Sequence, residues 1–163
     1  MKTSIPKNAI FVKMVVTAWQ AQKKKVDDLL AKLSDEQWKA ETATGRNTGI
    51  YLLGHLTAVN DGMFSLLGFG EKLHPELEAI FLTNADKAGL AMPSVTELKN
   101  YWHEINAKLD SHIQKMQSDE WFTKHAVVSE EDFAKEPHRN KLNILITRTS
   151  HQSYHLGQLA YLN

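Results

Sequence analysis

Apolar residues recur at three- and four-residue steps along four long stretches of the chain, a spacing typical of amphipathic helices. The stretches are residues 7–33, 47–68, 94–117 and 139–162. The apolar stripe of the first comprises Phe11, Val15, Trp19, Val26, Leu29, Leu30 and Leu33. Helices of this kind can bury their stripes only against one another. The pattern therefore predicts an all-α fold, a four-helix bundle with a long connection between the third and fourth helices.

The segments between these helices carry weaker signals. LSDEQW follows the first helix and QSDEWF follows the third, and in each a serine, Ser34 or Ser118, is expected to cap a short turn. At the start of the third helix, Ser94 and Glu97 predict a capping box. Residues 121–138 contain alternating and acidic pieces, for which we expect a short hairpin or an irregular loop. No sheet of consequence is predicted.

Composition narrows the range of functions. The 163 residues are 42% hydrophobic and 23% charged, which is typical of one globular domain spanning residues 1–163. Lys plus Arg equals Asp plus Glu at 19 each, so no basic excess favours nucleic acid as a partner. Lys7 and Lys13 interrupt the apolar region that a signal peptide needs, and no run approaches the roughly 18 apolar residues of a membrane span. We expect a cytoplasmic protein without a membrane partner.

The chain has no cysteine, so any metal ion must be bound by His, Asp or Glu. SHQSYHLGQL in the fourth helix contains His151 and His155. Residues four apart on a helix lie about 5–6 Å from each other at Cβ, so these two imidazoles can contact one ion. An HxxxH pair is also common by chance. The alternative is that one histidine packs in the core while the other contacts water.

A third histidine supports the metal hypothesis. His55 lies in LLGHLTAVND of the second helix, where Leu52 and Val59 share its face, so it is expected to point into the core. An imidazole buried without a partner costs on the order of 1 to 3 kcal/mol. Three inward histidines from two facing helices can share one divalent cation and leave coordination positions open for water or substrate.

The other chemistry-bearing residues are weaker candidates. His112 lies near the apolar stripe of the third helix, as a fourth participant or a core histidine, and we favour the core. A surface role is expected for the remaining histidines, which are His74, His103, His125 and His138. Asp61 follows His55 by six residues and so faces elsewhere. Tyr51, Tyr154 and Asp61 are conceivable as a general acid or base, but each is more simply a packing or surface residue, and no catalytic residue is assigned.

Two motifs resemble those of the DinB-like family of bacterial helical bundles. They are Gly54-His55-Leu56 and the pattern HxxxHxGQ, which comprises His151, His155, Gly157 and Gln158. The resemblance covers nearly the whole chain in helix order and length. It implies that His55, His151 and His155 bind a divalent metal ion, usually zinc or nickel. Many members have Arg directly after the last histidine, where this chain has Leu156. Arg148 could line the pocket instead, although a surface arginine is the simpler interpretation.

The resemblance also implies a class of reaction. Characterised members are metal-dependent transferases or isomerases that use a low-molecular-weight thiol such as bacillithiol or mycothiol. Our leading hypothesis is a transferase that delivers such a thiol to a small electrophilic substrate. A hydrolase that activates water at the same ion and a non-catalytic metal- or ligand-binding bundle remain alternatives. A homodimer is also conceivable, because a second copy could cover Phe69 and Phe81; a folded-over loop could cover them equally well.

Overall fold

The computed structural model describes residues 6–163, and four long helices dominate them. These are α1 (Lys7–Lys32), α3 (Gly49–Leu67), α5 (Val95–Lys115) and α7 (Lys141–Leu159). Three short helices lie between them: α2 (Asp35–Lys39), α4 (Leu77–Phe81) and α6 (Glu130–Lys135). Within the described range β structure is limited to two isolated bridges. The all-α prediction is confirmed. Residues 1–5, which begin the segment weighed as a signal peptide, lie outside the described range.

Side-chain caps fix the beginnings of three long helices. The Thr48 hydroxyl accepts from the Tyr51 N–H at 3.3 Å and so starts α3. The predicted box of Ser94 and Glu97 caps α5, and Asn140 caps α7. Because such caps satisfy backbone N–H groups that the first turn leaves unpaired, each helix starts within two residues of its expected position.

The long helices pack through their apolar stripes. α7 contacts α1 and α3, and α3 also contacts α5. Thirteen of the nineteen residues of α3 are buried, so α3 is the central helix and needs little polar surface. The largest buried side chains include all four tryptophans, Trp19, Trp38, Trp102 and Trp121. No helix within residues 6–163 combines the length and apolar character needed to cross a membrane.

The connections differ from the sequence expectation in two places. Ser34 caps α2 as predicted, since its hydroxyl accepts from the Gln37 N–H. Ser118 does not cap, because it lies inside a 3-10 helix (Ser118–Phe122) in which Glu120 accepts from the Gln117 N–H. The expected hairpin or loop of residues 121–138 is also wrong in part. The helix α6 forms there, and the Ser129 hydroxyl caps it by accepting from the Asp132 N–H at 3.0 Å.

Of the two phenylalanines that a second copy could cover, the chain itself covers Phe81 completely and Phe69 in part. Phe81 of α4 has no exposed surface, and Phe69 is half-buried with its ring stacked on His112 at 4.7 Å between centroids. Phe81 is therefore not available to a second copy. The folded-over connection between α3 and α5 covers it, which was the alternative expectation.

Candidate metal centre

The structure brings the three predicted histidines together between α3 and α7. His151 Nε2 lies 3.0 Å from His55 Nε2 and 3.1 Å from His155 Nε2. One ligand nitrogen from each residue lies within 4.8 Å of the others. No second group of three or more His, Asp or Glu side chains approaches this closely within residues 6–163. We call His55, His151 and His155 the histidine cluster.

Hydrogen bonds on the outer side of the rings determine which nitrogens carry protons. His55 Nδ1 lies 2.9 Å from the carbonyl oxygen of Phe81. Because a carbonyl can only accept, this Nδ1 carries the hydrogen, and the Nε2 lone pair points into the cluster. His155 Nδ1 lies 2.6 Å from Gln158 Oε1 and is fixed in the same way. The Nε2 atoms of His55 and His155 therefore carry no hydrogen, and both face Nε2 of His151.

His151 cannot satisfy the cluster alone. A neutral imidazole has one N–H. If His151 carries it on Nε2, it donates to one neighbour and leaves the other without a hydrogen. If the hydrogen is on Nδ1, three bare nitrogens face one another. His151 Nδ1 is itself buried and has no hydrogen-bond partner among residues 6–163. The cluster therefore has more acceptor nitrogens than hydrogens to donate to them. A cation at its centre would interact with all of these lone pairs.

The separation of the nitrogens fits a small divalent ion. In a tetrahedral site with bonds of about 2.1 Å to histidine nitrogen, ligand atoms lie roughly 3.4 Å from one another. The two measured separations are slightly shorter, so small ring movements would suffice. The donor set of three neutral imidazoles suits zinc or nickel better than magnesium or calcium, which prefer oxygen.

The short helix α4 positions His55 from behind. An added Cβ at Gly54 would lie 2.3 Å from the Phe81 ring, so only glycine permits α4 to approach α3 this closely. That approach brings the Phe81 carbonyl to His55 Nδ1. The Tyr51 ring stacks on the His55 ring at 6.4 Å, and the Tyr51 hydroxyl donates to the Asn84 carbonyl at 2.7 Å. The orientation of His55 thus depends on the connection that follows α3.

The surroundings favour the neutral form of two of the three imidazoles, His151 and His155. Burial, followed by the neighbouring His155, His55 and Arg148, lowers the pKa of His151 to about 4. Burial also lowers the pKa of His155, although its hydrogen bond with Gln158 opposes the effect. Since a metal ion and a proton compete for the same lone pair, a lowered pKa leaves these nitrogens free for a metal at neutral pH.

Other candidates from the sequence lie apart from the cluster or beside it. Asp61 is buried, and its two carboxylate oxygens accept from the N–H groups of Leu73 and His74 at 2.8 Å each, so it fixes the connection after α3. His112 packs its ring on Phe69 and is not a fourth member. These observations agree with the expected structural roles of both residues.

Two residues lie beside the cluster. Tyr154 is 66% exposed, and its ring meets that of His155 edge-on at 5.1 Å. Arg148 is half-buried rather than a surface arginine, and burial lowers its pKa. Its Nε is buried without a hydrogen-bond partner among residues 6–163, so Arg148 is only partly a surface residue.

Sequence reasoning missed the groups that hold the imidazoles from outside. Gln158 was noticed only as part of a motif, yet its position three residues after His155 on a helix predicts contact. Gly54 inside a helical pattern was a signal of close packing. The carbonyl of Phe81 had no signal, because any residue supplies a backbone oxygen.

Taken together, these features define an all-helical protein with a candidate three-histidine metal centre between two of its long helices. Residues 18–159 match the DinB superfamily, and the chain belongs to that superfamily. No curated protein matches the chain. Its fold is similar to that in the crystal structure of the conserved protein of locus from Enterococcus faecalis. The TM-score is 0.62 at 15% identity, over 92% of this chain and 93% of that one, and this likeness concerns the fold alone.

Proposed function

We propose that this protein is a metal-dependent transferase that delivers a low-molecular-weight thiol to a small electrophilic substrate. The metal is a divalent ion, zinc or nickel, bound by Nε2 of His55, His151 and His155. The long helices constitute a four-helix bundle that forms one domain around this site. Membership of the superfamily and the close approach of the three nitrogens support the proposal.

A single observation carries the metal assignment. Three Nε2 atoms converge while the Nδ1 atoms of His55 and His155 are engaged by groups outside the cluster, Phe81 and Gln158. In metal sites the second nitrogen of a histidine ligand commonly donates to a carbonyl or amide oxygen in this way, which orients the ring. Histidines that only packed in the core would not be expected to direct their Nε2 lone pairs toward one another, because the lone pairs repel.

The residues of the chain determine what chemistry the site can support. A bound divalent ion supplies a Lewis acid that lowers the pKa of a coordinated thiol or water. Three protein ligands leave at least one position for that group, whereas a structural zinc is usually closed by four. Since the chain lacks cysteine, the nucleophilic sulfur must come from a co-substrate.

A cleft next to the cluster offers room for a small molecule. It has a volume of about 520 Å³, within the range of roughly 300–1,000 Å³ typical of ligand pockets. Gln158 and Tyr154, which both contact His155, form one side of it. The remaining lining residues are Thr42, Ala43, Arg46 and Tyr161. The three histidines are not among its lining residues, so the cleft lies behind the His155 ring, on the side of Nδ1, and that ring separates it from the proposed ion.

Metal content tests the assignment most directly. We expect elemental mass spectrometry to find about one zinc or nickel ion per native chain after incubation with both ions. The His151→Ala and His155→Ala variants should lose it, because two imidazoles bind such an ion far more weakly than three. His74→Ala is the matched control, since His74 lies outside the cluster and pairs with Glu76 and Glu104 instead, and it should retain the ion. Circular dichroism should show equal helicity in all four proteins.

Two results would contradict the assignment: a native chain that stays metal-free, or variants that keep stoichiometric metal. With metal bound, consumption of bacillithiol or mycothiol by 1-chloro-2,4-dinitrobenzene tests the transferase activity. Cleavage of p-nitrophenyl acetate without any thiol would instead indicate a hydrolase. Metal binding without either reaction would indicate a non-catalytic binding protein.

A further inference from the structure

The exposed surface of α1 and α7, which we call the α1–α7 face, carries few charges. In α7 no exposed residue is charged; the exposed residues are Ile146, Thr147, Ser150, Ser153, Tyr154 and Gly157. Among the exposed residues from 10 to 21 of α1, Lys13 alone is charged. The exposed surface of α5, by contrast, includes Glu97, Glu104, Lys108 and Lys115. A surface in contact with water typically has roughly 25–35% charged residues, so the α1–α7 face has the composition of a covered surface.

A groove with exposed apolar side chains runs along this face. Phe11, Met14 and Ile146 are 47%, 63% and 37% exposed, and they line a cavity of about 300 Å³ between α1 and α7. A second cavity of about 440 Å³ follows between residues 22–29 of α1 and residues 153–160 of α7. The two cavities form one groove, which follows both helices for about 28 Å at 1.5 Å per residue. Because residue numbers rise together on its two sides, α1 and α7 are parallel.

The two ends of the groove differ in shape. At one end Phe11 and Met14 project bulky side chains into solvent. At the other end α7 contributes the small residues Ser153, Gly157 and Ala160. An added Cβ at Gly157 would meet nothing within 4 Å, so the space above it is open. One end of the face therefore has projections, and the other end has room to receive them.

We propose that the α1–α7 face binds the same face of a second copy of the chain across a two-fold axis. The axis crosses the helices near Ala18, about midway along the groove. It places α1 of one copy antiparallel to α1 of the other, so that the bulky end of each face packs on the small end of its partner. The inference concerns the surface of α7 away from the histidine cluster, and it does not depend on the metal ion or on the reaction.

The chemistry of the face favours a second copy over other occupants. The middle of the face is uncharged and contains Met and Phe, which are enriched at the centres of protein interfaces. Lys7 and Lys25 lie toward its two ends, so the two-fold axis brings no like charges together at the centre. An anionic membrane or an acidic helix binds largely through cations at the contact, and the middle of this face provides none.

The area of the face is sufficient for a specific dimer. α7 has 19 residues and is therefore about 28 Å long, and two helices about 9 Å apart present a surface roughly 20 Å wide. Full contact would cover about 560 Å² on each copy and about 1,100 Å² in total, just above the roughly 1,000 Å² expected of a biological interface. Removal of this apolar surface from water would stabilise the dimer.

The oligomeric state of the full chain tests the proposal. Sedimentation velocity from about 1 to 100 µM should show a species with twice the mass of one chain, whose fraction rises with concentration. Met14→Glu places a charge within the interface and should weaken association by about 30-fold or more. Val127→Glu is the matched control, because Val127 is an apolar residue with 72% exposure outside the face, and it should leave association unchanged. Circular dichroism checks that both variants fold, and Ser150→Glu replaces Met14→Glu if that variant does not.

Introduced cysteines test the antiparallel arrangement, since the native chain has none. The two copies of Ala18→Cys should be adjacent, so diamide should oxidise their thiols to one intermolecular disulfide. Lys7 lies eleven residues before Ala18, so the two copies of Lys7→Cys should be about 33 Å apart. A disulfide requires Cα atoms within about 7 Å, so Lys7→Cys should not cross-link. Cross-linking of Lys7→Cys but not of Ala18→Cys would contradict the two-fold axis.

Other outcomes would overturn the dimer itself. A native chain that stays monomeric over the whole concentration range would do so, as would association of Met14→Glu and Ser150→Glu as tight as that of the native chain. A monomer that sediments with phosphatidylglycerol vesicles and is released at about 0.5 M sodium chloride would assign the face to an anionic membrane instead. The dimer should persist at that salt concentration, because the middle of its interface is uncharged. It should form equally with chelator and with zinc, so failure of the metal assignment leaves this inference intact.

Discussion

The ring nitrogens of the histidine cluster and those of His74 face opposite kinds of partner. Both ring nitrogens of His74 face carboxylates, with Nδ1 3.2 Å from Glu76 and Nε2 2.9 Å from Glu104. Partial burial opposes its protonation, but the hydrogen bonds to Glu104 and Glu76 outweigh that effect and raise the pKa. The rings of the cluster face other imidazoles instead, and burial lowers the pKa of His151 and His155.

The comparison distinguishes a histidine whose two ring nitrogens have partners within the chain from histidines whose nitrogens require a ligand. His74 finds the negative charge and the acceptors that it needs within the chain, and its ring stacks on Tyr101 at 4.0 Å. The cluster has more bare nitrogens than hydrogens, and no Asp or Glu among residues 6–163 joins it. Proximity of histidines alone would not distinguish the two. The difference lies in what stands opposite each nitrogen, and it can be tested by changing those partners.

Removal of the Gln158 amide should have the largest effect. Gln158→Ala takes away the acceptor for His155 Nδ1, so the ring loses its fixed orientation and its Nε2 becomes a weaker donor. We expect metal affinity to fall by about 10- to 100-fold, as is typical when a group behind a ligand is removed. Isothermal titration of the metal-free protein with zinc measures the change. Glu104→Gln, which alters the equivalent partner of His74, should leave the affinity unchanged; equal losses in both variants would contradict the distinction.

Substitution of Gly54, which allows α4 to pack next to His55, should have the next largest effect. Gly54→Ala places a methyl group against the Phe81 ring, so α4 must shift and the Phe81 carbonyl must move away from His55. We expect a loss of about 1–3 kcal/mol in the free energy of unfolding, as for other overpacked sites. Urea denaturation of the metal-free chain measures it.

Gly157→Ala is the matched control for this substitution. Gly157 also lies in a long helix, but an added Cβ there meets nothing within 4 Å. The same change should therefore be neutral or should stabilise by up to about 1 kcal/mol, because alanine favours the helix over glycine. Similar destabilisation in both variants would show that the contact between Gly54 and Phe81 does not position α4.

Much of this architecture could be predicted from the sequence, and the exceptions have physical reasons. The four long helices follow from periodic apolar residues, and the cluster follows from His151 and His155 at four-residue spacing with His55 on a buried face. Helix α6 was missed because it has no apolar stripe, although Ser129 and three acidic residues at its start were a valid signal for a helix N-terminus. A helix N-terminus can be predicted from its cap and its first turn, without a periodic apolar stripe.

The contacts around the cluster were less predictable. Helix α4 has five residues, too few for a periodic pattern, and it acts through the backbone oxygen of Phe81. The position of Arg148 on the face of His151 and His155 can be derived from spacing. Spacing does not predict that Arg148 Nε is buried without a hydrogen-bond partner among residues 6–163, because that depends on every residue that the fold brings near it. Sequence spacing predicts which side chains share a face, while packing determines which of them are satisfied.

The pH dependence of stability should show the smallest effect and the clearest difference in sign. His74 has a raised pKa in the folded state, so its stabilising contribution is full below the ordinary value of about 6.5 and is lost as the pH rises through the folded pKa. His151 has a lowered pKa, so its contribution is present above about 6.5 and is lost as the pH falls toward its folded value of about 4.

Urea unfolding of the metal-free chain with chelator, at about pH 5 and about pH 8, compares His74→Gln with His151→Gln. Relative to the native chain, His74→Gln should lose a few tenths of a kcal/mol more at the lower pH, because solvent screens a surface pair. His151→Gln should instead gain about 1 kcal/mol relative to the native chain on acidification, since it lacks the imidazole that must stay neutral. If acidification changes the free energy of unfolding of both variants, relative to the native chain, in the same direction, then the pKa values of His74 and His151 are not shifted in opposite directions.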